Sequence, residues 1–206
     1  MTFAYSEVIS NGAPAAAGAP SFFWANRRER RAALFSGESS AYNRAMPVTL
    51  RAHEPRDFAV LFRLDQACFP PGIAYSKTML RYFLKLPSAD VLVAEEGGKI
   101  VGFILTEENP PLAHVVTLDV ADSHRRQGVG SALLAESERN LALRGVRTIL
   151  LETATSNEAG VAFWQRHGYR IEATLKRYYL REIDAYEMRK ILPGAGKTAK
   201  HPGDGV

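Results

Sequence analysis

The stretch from His114 to Gly130, HVVTLDVADSHRRQGVG, constrains the fold more than any other part of the chain. Its first half, up to Val120, is rich in β-branched residues and predicts a buried strand. Its second half, Arg125-Arg126-Gln127-Gly128-Val129-Gly130, opens a predicted helix. Glycines at such a turn let the backbone approach a ligand closely, and a helix start carries unpaired N–H groups and a positive dipole end. With two arginines, this pattern favours an anion such as a pyrophosphate.

A Gly-x-Gly pair before a helix is common, and on its own it does not identify a ligand. The dinucleotide-binding fingerprint needs a third glycine, where this chain has Leu133. However, the segment Arg-x-x-Gly-x-Gly, which follows Leu118-Asp119-Val120 and precedes Ser131-Ala132-Leu133-Leu134, resembles motif A of the GNAT acetyltransferases. The resemblance extends from about Met46 to Leu192, and it implies that the ligand is acetyl-CoA, as a co-substrate.

The composition is that of an ordinary soluble protein with one domain. The chain has 206 residues, of which 46% are apolar, so it is long enough to bury a core. Its single cysteine, Cys68, cannot form an internal disulfide, which suits a reducing compartment. No apolar run approaches the roughly 20 residues of a membrane helix, and no signal peptide is evident. We therefore expect a cytoplasmic protein with no membrane partner, as a monomer or a weak dimer.

The net charge of +4 belongs mostly to the ends of the chain. Residues 1–45 carry five arginines against three glutamates, and residues 193–206 carry two lysines against one aspartate. The body is therefore nearly neutral, and a nucleic-acid partner is not expected. The five histidines are scattered and the lone cysteine has no ligand partner at a binding spacing, so no metal site is predicted.

The two ends also differ from the body in composition. Residues 1–45 are rich in Ala, Gly, Pro and Ser, which predicts a disordered leader, and residues 193–206 predict a flexible tail. The domain is therefore expected at 46–192. Two alternatives stay open for the leader: Met46 is the native initiator, or residues 22–35 form a short docking helix.

The hydrophobic pattern predicts the element order β-α-α-β-β-β-α-β-α-β-β. A first helix starts near Pro55, and a second follows Ser76, a favourable N-cap residue. Gly97-Gly98 provides the positive φ of a hairpin turn, Gly145 ends the helix after the glycine turn, and the capping-box sequence Thr155-Ser156-Asn157-Glu158 opens the last helix. The strands are predicted near 46–51, 91–94, 100–105, 113–120, 147–153, 169–177 and 183–191. This order is that of GNAT proteins, and the resemblance implies an α+β fold: a mixed sheet of about seven strands, whose central strands splay apart, with about four helices.

The resemblance also implies which residues bind CoA. Backbone groups at the end of the fourth strand would meet the pantetheine and the thioester, and the backbone after it would hold the pyrophosphate. The implied residues are Leu118, Asp119, Val120, Arg125, Arg126, Gln127, Gly128, Val129, Gly130 and Ser131. Asn157 matches a family asparagine that contacts CoA, although its other interpretation is a residue that only starts a helix.

Glu152 is the predicted general base. It lies in Leu150-Leu151-Glu152-Thr153-Ala154-Thr155-Ser156-Asn157, which resembles the Leu-Glu-Val-x-x-x-Asn segment of the RimI-type and archaeal protein N-terminal acetyltransferases. In that subfamily the glutamate deprotonates the acceptor amine. Without the resemblance, a glutamate at a strand end would be interpreted as solvent-facing. His114 and Asp119 are alternative bases that would act through water.

Aromatic residues are predicted to border the acceptor. The pair Tyr178-Tyr179, followed by Asp184-Ala185, resembles the end of the N-terminal acetyltransferases, where the tyrosines line the peptide groove. The family's loop between the first two helices overhangs the acceptor pocket, which makes Phe69, Ile73 and Tyr75 candidate substrate contacts. Packing against the core is the alternative interpretation for all of these residues.

One position departs from the family pattern. Trp164 stands where the family ordinarily has a tyrosine that reprotonates CoA, so Trp164 is predicted to lie at CoA without acting as an acid. Tyr178, Tyr179 or water would then supply the proton. These observations predict an acetyl-CoA-dependent N-acetyltransferase that acts by direct transfer, with the α-amine of a protein N-terminus as acceptor. The alternatives are a small-molecule amine or lysine acetyltransferase, and a non-catalytic acyl-CoA-binding module.

Overall fold

The computed structural model describes residues 48–193. The leader predicted at 1–45 and the tail after residue 193 lie outside the described residues. The proposed limits of the domain therefore stay predictions.

The described residues form seven strands and four α-helices in the predicted order. The strands are β1 Thr49–Ala52, β2 Ala89–Glu96, β3 Lys99–Asn109, β4 Leu112–Val120, β5 Thr148–Ala154, β6 Arg170–Tyr179 and β7 Ile183–Ile191. The helices are α1 Phe58–Cys68, α2 Lys77–Lys85, α3 Val129–Leu143 and α4 Glu158–Arg166. Short 3₁₀ turns at Pro55–Asp57 and Asp122–His124 precede α1 and α3. The prediction of a mixed α+β fold with this element order is confirmed.

All seven strands belong to one sheet, in the order β1-β2-β3-β4-β5-β7-β6. The β4–β5 pair is parallel, whereas the other pairs are antiparallel. The register of β4 with β5 ends at His114 opposite Leu150, although both strands continue beyond these residues. The two central strands therefore separate after His114, and a β-bulge in β3 at Leu105/Thr106 lies beside the point of separation.

Two helical pairs cover the two faces of the sheet. On one face, α3 and α4 contribute Leu133, Leu134, Leu141 and Trp164 to a core that includes Ile149 and Leu151 of β5. On the other face, α1 and α2 contribute Leu61, Leu80 and Phe83, which pack against Val93 and Phe103. Burial of both faces explains why β2 and β3 are almost continuously apolar instead of alternating.

Local signals at the element ends are mostly confirmed. The Ser76 hydroxyl accepts a hydrogen bond from the backbone N–H of Met79 and caps α2. The prediction that Thr155 opens the last helix is wrong, because α4 begins at Glu158 and its N-cap is Asn157. The Thr155 N–H donates to the carbonyl of Asp184 at 2.9 Å, so this residue still extends the β5–β7 pairing.

Candidate active site

The separation of β4 and β5 exposes backbone groups in the middle of the sheet. The Ala121 N–H donates to the Val101 carbonyl of β3, and the alternation along β4 turns the backbone N–H and C=O groups of Leu118 and Val120 the other way, into the gap. The Tyr75 hydroxyl donates to the Val116 carbonyl at 3.2 Å, and the Tyr179 hydroxyl donates to the Glu152 carbonyl at 3.3 Å. Because of this alternation, we expect the N–H of Leu118 to be available to an oxygen of a ligand.

Glu152 and His114 meet at the point where the strands separate. The Nε2 atom of His114 lies 2.7 Å from Oε2 of Glu152, and the side chains are only 13% and 11% exposed. A carboxylate only accepts hydrogen bonds, so Nε2 carries the hydrogen of this contact. His114 therefore fixes the orientation of the carboxylate inside a largely buried site.

Tyr178 and Tyr179 lie beside this pair, with their rings in an edge-to-face contact at 4.9 Å. Burial and the nearby charge of Glu152 raise the pKa of Tyr178 and of Tyr179. The Tyr178 hydroxyl is buried and interacts with the Glu152 carboxylate, which contributes to its raised pKa. This hydroxyl is therefore a protonated group next to the candidate base.

A second pair of carboxyl groups lies between α1 and β4. Asp65 and Asp119 are 0% and 1% exposed, and burial raises their pKa to about 6 and about 8, respectively. Asp65 accepts from the backbone N–H of Tyr75 at 2.8 Å, and Asp119 accepts from the Thr117 hydroxyl at 2.7 Å. The Asp119 side chain is thus enclosed by the fold, and its raised pKa makes it largely neutral at pH 7.

Replacing Asp119 with Asn is expected to stabilise the protein at high pH. With a folded-state pKa of about 8 against an ordinary 3.8, the folded protein binds more protons than the unfolded chain between these pH values, so stability falls as pH rises through them. Asn imitates the neutral carboxyl and removes this loss. Thermal unfolding should show a higher Tm for Asp119→Asn than for the parent at pH 8, and a similar Tm at pH 4.

The control for this prediction is Asp122→Asn, because the Asp122 side chain is 91% exposed and lies in the next turn of the chain. Its Tm should follow that of the parent at both pH values. A lower Tm for Asp119→Asn at pH 8 would show that the carboxyl is charged there and stabilises the fold in that form.

The loop between α1 and α2 closes one side of the gap. Tyr75 packs edge-to-face on Phe83 at 5.4 Å, and its hydroxyl reaches β4. A Cβ atom placed on Gly72 would lie 2.6 Å from Cδ2 of Leu180, so this loop touches the turn between β6 and β7. Phe69 and Ile73, the other predicted substrate contacts, lie in the same loop and are partly buried. Their contact with a substrate stays a prediction.

The glycine turn has the geometry expected of an anion site. Gly128 caps α3 with a φ of 89°, and Arg126 has a φ of 60°. The Ala132 N–H donates to the Gly128 carbonyl at 2.9 Å, so the N–H groups of residues 129–131 precede the first full helical hydrogen bond. These donors and the exposed Arg126 fit a diphosphate group.

Several predicted CoA contacts also have partners within the protein. Arg125 donates through Nε to the Val120 carbonyl at 3.1 Å, and the Gln127 amide donates to the Ser123 carbonyl at 2.7 Å. Asn157 accepts from the Gly160 N–H at 3.0 Å as the cap of α4, which was its alternative interpretation. Trp164 is 8% exposed and belongs to the core. Whether these residues also touch CoA stays a prediction.

His167 joins the glycine turn, although no motif in the sequence marks it. Its Nε2 atom lies 2.9 Å from the Ser131 hydroxyl at the start of α3. Nothing in the local sequence indicates this contact, because the two residues are 36 positions apart and only the packing of α4 against α3 brings them together.

Within residues 48–193, no group of three or more His, Cys, Asp or Glu side chains is arranged to hold a metal ion. Over the same range, no helix has the length and apolar character needed to span a membrane.

Comparisons with known proteins agree with this geometry. The acetyltransferase (GNAT) family model matches residues 58–169. The chain is 29% identical over 117 residues to N-alpha-acetyltransferase 30 of Schizosaccharomyces pombe, covering 54% of this chain and 78% of that protein. It is 35% identical over 92 residues to the ribosomal protein bS18-alanine N-acetyltransferase of Escherichia coli, covering 45% and 62%, respectively.

The fold is similar to solved structures as well. The crystal structure of the ribosomal-protein-S18-alanine N-acetyltransferase from Escherichia coli superposes with a TM-score of 0.65 at 24% identity, covering 75% of this chain and 99% of that one. Enzymes of the matched family use acetyl-CoA as the acetyl donor. The splayed sheet, the glycine turn and the family match together lead to one conclusion: the chain is an acetyltransferase that belongs to the GNAT family.

Proposed function

We propose that this acetyltransferase moves the acetyl group of acetyl-CoA to the α-amine of a peptide or protein N-terminus, by direct transfer in a ternary complex. The observation that carries the proposal is the buried Glu152–His114 pair where β4 and β5 separate. Relatives named as N-alpha-acetyltransferase and as bS18-alanine N-acetyltransferase support the choice of an α-amine.

Backbone N–H groups at two positions would bind acetyl-CoA. Acetyl-CoA supplies the acetyl group as a thioester. The N–H groups of residues 129–131 would hold its diphosphate, and the Leu118 N–H would donate to the thioester oxygen, where negative charge develops. Both sets of donors are backbone groups fixed by secondary structure, so they need no rearrangement before transfer.

Glu152 would accept the proton of the attacking amine, and His114 would hold the carboxylate in place. Tyr178 is the candidate acid for the departing thiolate, because its buried hydroxyl is protonated and lies beside Glu152. A thiol pKa of about 8.5 makes the thiolate a tolerable leaving group, so loss of this acid should slow transfer without abolishing it.

The basicity of the acceptor favours an N-terminus over lysine. An α-amine has a pKa of about 7.7–8.0 and is substantially neutral at physiological pH, whereas a lysine amine with a pKa of about 10.4 costs about 3.5 kcal/mol more to deprotonate. A single carboxylate is therefore a sufficient base for an α-amine substrate. The loop at Gly72 contacts the turn at Leu180, and we infer that this contact suits the end of a chain better than a side chain presented from its middle.

The test is acetyl-CoA turnover across three substrate sets. These sets are peptides with free N-termini, the same peptides with blocked N-termini and one lysine, and small free amines. We expect turnover in the first set, with a preference among the first residues of the peptides. Turnover confined to the free amines would replace the proposal with a small-molecule acetyltransferase.

A further inference from the structure

The backbone of Tyr75 is held by two consecutive side chains of α1. The Tyr75 N–H donates to Oδ2 of Asp65 at 2.8 Å. The Gln66 side-chain amide donates to the Tyr75 carbonyl at 2.9 Å and to Oδ2 of Asp65 at 2.9 Å. Tyr75 lies outside the helices and strands, so these bonds supply the partners that its backbone groups would have within such an element. Asp65 and Gln66 thus form a clamp on this residue, the α1 clamp.

The chemistry of the α1 clamp fixes which atoms donate. A carboxylate and a carbonyl only accept, so the NH2 group of Gln66 must face both of them, and its two hydrogens are sufficient for both bonds. Burial raises the pKa of Asp65 to about 6, although the hydrogen bonds from Tyr75 and Gln66 oppose this shift, so the carboxylate is largely charged at pH 7.5. A charged acceptor strengthens a hydrogen bond, and the Tyr75 N–H is therefore held firmly.

The α1 clamp positions a side chain that reaches the gap between β4 and β5. The Tyr75 ring packs on Phe83 at 5.4 Å, and the Tyr75 hydroxyl donates to the Val116 carbonyl at 3.2 Å. Burial raises the pKa of Tyr75, and the nearby charge of Glu152 contributes to the shift, so the hydroxyl stays protonated beside the candidate base. A shift of the Tyr75 backbone would therefore change the shape of the gap where the acceptor amine is expected.

The two halves of the loop between α1 and α2 are held in different ways. In the first half, two backbone N–H groups donate to the Pro70 carbonyl at 3.1 Å, so this turn is closed by its own backbone. Gly72 in that turn contacts Leu180 of the β6–β7 turn. In the second half, Tyr75 directly precedes Ser76, the cap of α2, and its backbone depends on the α1 clamp.

We propose that Asp65 and Gln66 are positioning residues for the acceptor: by holding the backbone of Tyr75, they set the shape of the acceptor site beside Glu152. This inference rests on the proposed function, in which the acceptor amine meets Glu152 in the gap. Neither residue needs to touch a substrate, because each acts through Tyr75. Loss of the α1 clamp should weaken acceptor binding and leave acetyl-CoA binding intact, since the donors for its diphosphate lie at the start of α3.

Three variants separate the contributions of the α1 clamp. Asp65→Ala removes the acceptor of the Tyr75 N–H, whereas Asp65→Asn keeps an oxygen that accepts from it without the charge. Gln66→Met keeps the length of the side chain and removes the donor to the Tyr75 carbonyl. Gln66 is exposed, so this variant should fold even if Asp65→Ala is unstable. Arg63→Met is the matched control, because Arg63 is exposed on the same helix.

The kinetic experiment measures KM and kcat for one N-terminal peptide near pH 7.5, with saturating acetyl-CoA, and CoA affinity by calorimetry. Asp65→Ala is expected to raise the peptide KM about fivefold, the size of one hydrogen bond, and to keep kcat within about twofold of the parent. Gln66→Met should raise KM about threefold, and Asp65→Asn should restore part of the loss in Asp65→Ala. Arg63→Met should keep the parental KM, and CoA affinity should be parental in all four variants.

Amide hydrogen exchange tests the α1 clamp without a substrate. Residues 70–76 should exchange faster in Asp65→Ala and in Gln66→Met than in the parent, whereas the start of α3 should exchange at the parental rate. Parental exchange of this loop in both variants, or an equal loss of CoA affinity and peptide affinity, would overturn the inference. Peptide turnover by the parent with an unchanged KM in both variants would overturn the inference alone. A parent protein that acetylates no peptide would overturn the proposed function as well.

Discussion

The Glu152→Gln variant is expected to acetylate N-terminal peptides about 10²- to 10⁴-fold more slowly than the parent at low pH, because it removes the general base. The size of this rate loss should depend on pH, because pH sets the fraction of the substrate's α-amine that is neutral. Near pH 6 only about one α-amine in a hundred is neutral, so transfer depends on a base, whereas near pH 9 most of the amine is already neutral. The rate difference should therefore shrink as pH rises.

This substitution is conservative in structure. The amide oxygen of Gln still accepts from Nε2 of His114, so the 2.7 Å contact at the strand separation is retained. CoA affinity and Tm should consequently remain close to those of the parent. The measurement is kcat/KM for one peptide from about pH 6 to about pH 9, with saturating acetyl-CoA.

Glu172→Gln is the matched control, because Glu172 is an ion-paired glutamate of β6, 3.1 Å from Arg189. It loses the same charge outside the site and should keep parental rates at every pH. Unchanged rates for Glu152→Gln across the whole range would refute Glu152 as the base and favour His114.

The second large effect is expected at the glycine turn. Gly128→Val should weaken CoA binding at least tenfold, about 1.4 kcal/mol, because the residue has a φ of 89° and directly precedes the N–H groups of residues 129–131. A β-branched residue is strained in this conformation. Relief of the strain would move the N–H groups out of the alignment that a diphosphate requires.

Gly145→Val controls for the strain itself. Gly145 follows the other end of α3 with a φ of 93°, and a Cβ atom there would meet nothing within 4 Å. Both variants should lose a comparable amount of stability, about 1–2 kcal/mol, but only Gly128→Val should lose CoA affinity by calorimetry. Equal affinity in Gly128→Val and the parent would show that the anion site lies elsewhere.

The sequence predicted the fold well where local pattern and tertiary environment agree. The closing strand, predicted at 183–191, is observed at Ile183–Ile191. The preceding strand was predicted to end at residue 177 but continues to Tyr179, so Tyr178 and Tyr179 lie on the strand itself. Because β6 continues past residue 177, these two tyrosines lie close to Glu152.

The last helix shows where local chemistry was insufficient. The sequence has the capping-box pattern at Thr155, but the N–H of Thr155 donates its hydrogen bond to the Asp184 carbonyl of β7. Strand pairing across the sheet therefore outweighed the local preference and delayed the helix until Glu158. Asn157, two residues later, supplies the cap instead.

The candidate site depends on tertiary contacts that cannot be predicted from the spacing of residues in the sequence. Glu152 and His114 were selected separately from the sequence, but their 2.7 Å contact follows from the register of β4 against β5. His167 was missed because its partner, Ser131, lies 36 residues away. Trp164 was singled out by its departure from the family, and its burial in the core could not be predicted from that departure.

The acceptor amine can be identified directly with one peptide that has both a free α-amine and an internal lysine. It is incubated with acetyl-CoA and the parent protein near pH 7.5, and fragment mass spectrometry then locates the acetyl group. We expect acetylation of the α-amine, an unmodified lysine, and a strongly reduced yield with Glu152→Gln. Acetylation of the lysine with a free N-terminus would contradict it.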